Sequence, residues 1–256
     1  MRKIITYLLV GITILAFAGV VDANMQIPAS EVAKQKAKAP EKSPVINENW
    51  EIDRVDFVHY ARPEKSGKPN KPPKDAKCYK LLGVKWSNLP VNYVINPTNN
   101  DGLSSSTVMA NISAAAETWD SFTSSELFND NYQIDDSVIY GKRDNKNALS
   151  FGDYLDNQVI AVTSIWYNRR TKQIIEYDIL FNNYYQWGDA TDPGTPDVMD
   201  LRNIATHELG HAIGLNDIYD SACSQVTMYG YSIAGEVEKR TLAQPDINGL
   251  QLIYGL

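Results

Sequence analysis

Two histidines four residues apart and a glycine three residues beyond them constrain this chain more than any other feature: His207-Glu208-Leu209-Gly210-His211-Ala212-Ile213-Gly214-Leu215-Asn216-Asp217. At about 100° per residue a helix puts His207 and His211 on one face, one turn apart, so two imidazoles can hold one ion. Glu208 is offset by about 100° from His207, beside the ion rather than on it, where a carboxylate can take a proton from metal-bound water. A catalytic zinc needs a third protein ligand and one open position. If the helix ran on, Asp217 would lie about 240° round and roughly 9 Å along the axis, out of reach. Gly214 can take the left-handed conformation that ends a helix and turns the chain back, which makes Asp217 the expected third ligand. The other readings are a solvated Asp217 at a helix end, or a later carboxylate, Glu236 or Glu238. Of the three His in the chain, the remaining one, His59, reads as a linker or strand residue.

The ends differ in composition. Arg2 and Lys3 precede an apolar run from Ile4 to Val21, and residues 1–23 read as a signal peptide, cleaved after Ala23, or as a retained N-terminal anchor. Either outcome places the rest outside the cytoplasm. Residues 24–77 read as a Lys/Pro-rich linker or propeptide, with a strand near 50–60 carried by Trp50, Ile52, Val55, Phe57 and Val58. Residues 31–80 hold 12 of the 24 Lys and Arg against 8 acidic residues, whereas 81–256 hold 10 basic and 22 acidic ones. The two parts therefore attract one another, and a net charge of −7 argues against a nucleic-acid partner.

From Cys78 to Leu256 the patterns are regular. Val91, Tyr93 and Ile95 alternate as a strand, and an amphipathic helix is predicted over Ser104–Phe122, with Val108, Ile112, Ala115, Trp119 and Phe122 on one face. Val159–Tyr167 and Gln173–Phe181 read as a hairpin, and Asp200 as N-cap of the histidine helix, which should end near Ile213. Thr241-x-x-Gln244 suggests a capping box for a last helix, with Pro245 in its first turn. The order implies an α+β domain. Two Cys exclude a disulfide scaffold or a Cys-based zinc ribbon. Outside the cytoplasm a Cys78–Cys223 disulfide is favoured, bracing the loop between Asp217 and Met228. Free thiols and a latency device with the Cys78 thiolate on zinc are the alternatives.

The string His207-Glu208-x-x-His211-x-x-Gly214-x-x-Asp217, followed by Met228 in Val226-Thr227-Met228-Tyr229-Gly230, resembles the metzincin zinc peptidases. Trp86–Ile95 and Leu242–Gln251 are similar to the matrixin branch, so the resemblance spans roughly residues 80–256. It implies a five-stranded twisted mixed sheet with three helices, the active-site helix ending at the Gly214 turn, and Met228 in a turn beneath the zinc. It also implies a cleft along an edge strand and endopeptidase activity. Tyr229 and Tyr231 fall where the family builds a substrate pocket. Most of the family has His at the position of Asp217.

The function expected is an extracytoplasmic zinc endopeptidase with one catalytic Zn2+ on His207, His211 and Asp217, Glu208 as general base, and an extended polypeptide as substrate. The strand near Ile179–Asn183 is the candidate cleft edge. The alternatives are a non-catalytic peptide-binding module and a zinc amidohydrolase on the same scaffold. Calcium has candidate oxygen ligands in the Asp153/Asp156 and Asp189/Asp192/Asp197 loops, although acidic loops of this kind are more often only solvated. A membrane is expected as partner only if residues 1–23 are retained, and the protein is expected to be a monomer.

Overall fold

A computed structural model describes residues 51–63 and 77–256. The targeting segment at 1–23 and most of the 24–77 linker lie outside the described residues. No described helix is long and apolar enough to cross a membrane.

The strands are β1 (Ile52–Ala61), β2 (Val94–Ile95), β3 (Gln133–Ile134), β4 (Ala148–Gly152), β5 (Val159–Asn168), β6 (Ile174–Asn182), β7 (Trp187–Gly188), β8 (Met199–Asp200) and β9 (Tyr231–Ser232). The helices are α1 (Ser105–Asp120), α2 (Leu201–Ala212) and α3 (Gln244–Tyr254). The main sheet runs β3-β2-β4-β6-β5-β1-β9, and β7 pairs with β8 alone. Five of its strands, β2 to β6, form the expected mixed sheet. Strand β5 is the antiparallel member, joined to β6 by the predicted hairpin, while β3, β2, β4 and β6 pair in parallel. The strand expected near 50–60 extends this sheet beyond β5.

Both long strands of the hairpin are buried along nearly their whole length because both faces are covered, with Glu176 and Asp178 accepting backbone N–H groups of the 141–145 loop. One correction follows. Strand β6, with Ile179–Asn183 proposed as the cleft edge, lies inside the sheet between β4 and β5, and it is β5 that reaches the active-site helix, through the Thr163 hydroxyl on Glu208. Strands covered on both faces carry the same apolar signature wherever they sit in the sheet, so periodicity does not order them.

Helix α1 starts at the N-cap Ser104, whose Oγ accepts the Thr107 N–H at 3.1 Å, and buries Val108, Ile112, Ala115 and Trp119 as predicted. Phe122 lies past the helix end and is 36% exposed, so it does not join that face. Trp119 donates its indole N–H to the Thr206 carbonyl at 2.8 Å, fixing α1 beside α2. Asp200 caps α2 by accepting the Asn203 N–H at 2.8 Å. Helix α3 is capped differently from the expectation. Its N-cap is Ala243 rather than Thr241, and Asp246 in the first turn accepts the Ala243 N–H at 3.0 Å.

Cys78 and Cys223 form a disulfide across 145 residues, which removes the free-thiol and thiolate readings of Cys78. The segment after Cys78 then runs along the end of α2. Leu82 donates to the Gly214 carbonyl and Asn216 donates to the Lys80 carbonyl, both at 2.8 Å. The disulfide thereby holds one brace of the helix stop. Replacing both cysteines by serine is expected to lower stability by about 2–4 kcal/mol, the range for a bond closing a long loop. Urea unfolding of the double variant with and without reductant measures it, and wild type under reductant should match the variant.

Candidate active site

Helix α2 carries His207, Glu208 and His211, and the chain beyond it returns Asp217 to the same point. All four are buried, none more than 4% exposed. Each imidazole has its Nδ1 against a backbone carbonyl: His207 on Thr227 at 2.7 Å and His211 on Leu215 at 3.0 Å. Those Nδ1 atoms must carry the protons, which leaves both Nε2 atoms as bare lone pairs. The two Nε2 atoms are 3.2 Å apart. Asp217 Oδ1 lies 3.2 Å from His207 Nε2 and 3.4 Å from His211 Nε2, and it accepts no hydrogen bond although it is buried. Three acceptors facing each other in a dry pocket repel unless a cation lies between them. Donors about 2.0–2.1 Å from a tetrahedral zinc are separated by about 3.3 Å, which is the spacing found. The donor set fits zinc with one position free.

The return of the chain depends on Gly214. Its φ is +99°, and a Cβ there would stand 2.4 Å from the Val84 carbonyl oxygen. Both the dihedral and the close approach exclude a side chain. Gly210, one turn earlier, was not singled out from the sequence, yet a Cβ on it would meet Met228 Sδ at 2.3 Å and Trp119 at 2.7 Å. Met228 thus packs directly under α2. Its turn is held by Asp246, whose carboxylate accepts the N–H of Thr227 at 2.8 Å and of Met228 at 3.2 Å. Asp246 is not singled out in the sequence, where nothing links it to Met228.

Glu208 stands beside the three ligands, with a carboxylate oxygen within 4.8 Å of a His207 ring nitrogen. Its Oε2 accepts the Thr163 hydroxyl of β5 at 2.5 Å, and its Oε1 faces His59 Nδ1 at 3.1 Å. Burial, partly opposed by the neighbouring His211, pushes this carboxyl up to about 7. A carboxyl titrating near neutrality is suited to taking and returning a proton. His59 is a strand residue as read, but its contact with Glu208 went unforeseen. Its ring also packs against that of His207, centroid to centroid at 4.0 Å.

The remaining candidates sort clearly. Glu236 pairs with Arg62 at 3.3 Å and Lys239 at 3.8 Å, and Glu238 accepts the Val237 N–H, so neither joins the ligands. Tyr231 is half-buried in β9, between the rings of Tyr219 and Tyr229. Tyr219 in turn donates to the second oxygen of Asp217 at 3.0 Å. Among the described residues, the groups of three or more convergent metal-ligating side chains are His207/His211/Asp217 and His59/His207/Glu208. The two acidic loops offer no such convergence. Asp189 instead takes Arg240 and the Thr191 hydroxyl, and Asp153 takes the Asn183 amide.

Similarity to known proteins covers this part of the chain. The profile of the family described as Matrixin matches residues 85–255. The hatching enzyme of Paracentrotus lividus is 28% identical over 184 residues, covering 71% of this chain and 28% of its own length. Matrix metalloproteinase-16 of Homo sapiens is 26% identical over 253 residues, covering 91% of this chain and 39% of its own. Metalloendoproteinase 1 of Glycine max is 38% identical over 69 residues, 27% of this chain and 21% of its own. The chain thus spans less than half the length of the relatives it matches.

Substitution at Gly214 separates dihedral strain from close approach. Gly102 also has a positive φ, +71°, but a Cβ there meets nothing within 4 Å. Gly102→Ala is therefore expected to cost about 1 kcal/mol, and Gly214→Ala about 2–4 kcal/mol with weakened zinc binding. Denaturant unfolding and zinc titration of the two variants check this.

Proposed function

Because the chain belongs to the matrixin family, we propose that it is a zinc-dependent endopeptidase in which Glu208 is the general base. The observation that carries this reading is the set of three bare, buried acceptors, His207 Nε2, His211 Nε2 and Asp217 Oδ1, at 3.2–3.4 Å from one another. They would hold zinc, which when bound polarises a carbonyl and acidifies water. Thr163 orients the Glu208 carboxylate. Glu208 accepts the proton of the attacking water and passes it to the departing amine. The edge of β5 is paired along its length with β1, so an extended polypeptide would take that edge in place of β1. Tyr231 forms part of the wall across from that edge.

An extracytoplasmic setting is part of the proposal, supported by the apolar run Ile4–Val21 and by the Cys78–Cys223 disulfide. The relatives named metalloendoproteinase and matrix metalloproteinase support the reaction class. A non-catalytic binding module has no use for a carboxylate beside the ligands, so Glu208 favours turnover.

Hydrolysis of unfolded casein and of quenched fluorescent peptides tests the reading, with zinc content measured on each protein. Glu208→Gln is expected to keep zinc and lose about 10²–10⁴-fold in kcat/KM, and Asp217→Ala to lose both zinc and activity. The assay is run before and after brief trypsin treatment, which can cut after Lys65, Lys74 and Lys77 but not after Lys68 or Lys71, each followed by proline. Zinc-loaded protein that cleaves nothing in either state would make this a peptide-binding module instead.

A further inference from the structure

Two of the three ligands have their outward atom held by the backbone, His207 Nδ1 on the Thr227 carbonyl and His211 Nδ1 on the Leu215 carbonyl. Asp217 is a different kind of ligand. An imidazole whose Nδ1 carries the proton has one lone pair left, whereas a carboxylate has two oxygens and about four acceptor positions. Asp217 Oδ1 stands 3.2 Å from His207 Nε2 and 3.4 Å from His211 Nε2, and it accepts no hydrogen bond. The other oxygen, Oδ2, accepts the Tyr219 hydroxyl at 3.0 Å. One oxygen faces the centre bare, and the other is already engaged.

The backbone brings Tyr219 to that oxygen. The Ile218 N–H donates to the Met228 carbonyl at 2.9 Å, and the Ile218 carbonyl accepts the Gly230 N–H at 3.0 Å, so the segment after the helix stop lies alongside the Met228 turn. In an extended chain residues two apart share a face. Ile218 packs on the apolar cluster of Cys78, Cys223, Val226 and Tyr229, while Asp217 and Tyr219 meet each other. The Tyr219 ring lies against Gly230, where a Cβ would stand 2.4 Å from its Cε1 and 3.1 Å from Asp217 Oδ1. The ring of Tyr231 packs on it, centroid to centroid at 5.4 Å. Gly230 is not one of the left-handed glycines, so it is space and not backbone conformation that excludes a side chain there. The gap admits one phenol ring and one ligand oxygen.

We propose that Tyr219 is a positioning residue for the metal: by engaging Oδ2 it makes Asp217 a one-oxygen ligand and keeps the fourth position of the ion free for the attacking water. This rests on the zinc peptidase reading above and adds to it the group that keeps the site open. A catalytic zinc takes three protein ligands and a water in the fourth position, and it can expand to five. A carboxylate with both oxygens unengaged binds a cation through both, and the second oxygen then competes for the place of the water. A histidine in the same position needs no such guard, because its second nitrogen lies across the ring from the first. Asp217, Tyr219 and Gly230 thus act as one unit: a ligand, the donor that limits it, and the space that admits the donor.

The test exchanges cobalt for zinc in the full chain, because the visible absorption of cobalt reports its coordination number, with intense bands for four ligands and weak ones for five. Wild type is expected to give the four-coordinate spectrum. Tyr219→Phe removes one oxygen and leaves the ring on Gly230. It is expected to give the five-coordinate spectrum and to hold zinc as tightly as wild type or more so, read by competition with a chelating dye. In the peptide assay its kcat should fall about 10–100-fold with KM nearly unchanged. Asp217→His carries no second oxygen, so adding Tyr219→Phe to it should alter neither the spectrum nor the zinc affinity. Should Tyr219→Phe fail to fold, Gly230→Ala takes its place: the hydroxyl is kept, the ring is pushed off Asp217, and the five-coordinate spectrum should appear again. A four-coordinate spectrum in the folded variant, or an equal loss of zinc affinity from Tyr219→Phe in the wild-type and Asp217→His backgrounds, overturns the proposal and leaves the peptidase reading standing. The expected spectra without hydrolysis by any form support the role of Tyr219 and overturn the peptidase reading. A wild-type chain that binds neither metal overturns both.

Discussion

Three lone pairs pointed at one another are what the domain is arranged around. His207 and His211 each spend a proton on a backbone carbonyl, and Asp217 Oδ1 accepts nothing, so the centre holds only acceptors. Such a centre is repulsive by itself and must be enforced by the surrounding structure. The enforcement is visible on every side. Gly214 turns the chain, Val84 packs against that turn where no side chain fits, and Met228 fills the notch left by Gly210. Folding energy from the apolar core is thus invested in a site that only a cation relieves.

The same logic explains which polar groups are buried. Thr163, Thr227 and Asp246 are each no more than 1% exposed, and each orients something: a carboxylate, an imidazole, a turn. A buried polar group is tolerated when its bonds are made, and here the bonds run outward from the ligands to β5 and α3. The sheet, the helix and the C-terminal helix are therefore positioned relative to one another through the site as well as through the core.

Much of this was legible in the sequence, for a definite reason. The helix, its stop and the return of Asp217 are local events within eleven residues, and helical geometry with one permissive glycine specifies them. Longer-range facts were not legible. A largely apolar segment such as Ile174–Asn182 says that both faces are covered but not how the strands are ordered, so it does not tell that β6 lies between β4 and β5. Alternation near 50–60 announced a strand without a partner, and no local pattern joins His59 to Glu208 across the chain. Gly210 carries no signal of its own in the motif because its meaning depends on a methionine brought beneath it by a distant turn.

The Asp246 carboxylate gives the site an order of assembly. It holds the Thr227–Met228 turn, and the Thr227 carbonyl in turn fixes the tautomer of His207. A ribosome delivers α2 well before it delivers Asp246. Until α3 has emerged and docked, His207 lacks its anchor, and the nascent chain carries the metal-binding sequence without the metal-binding geometry.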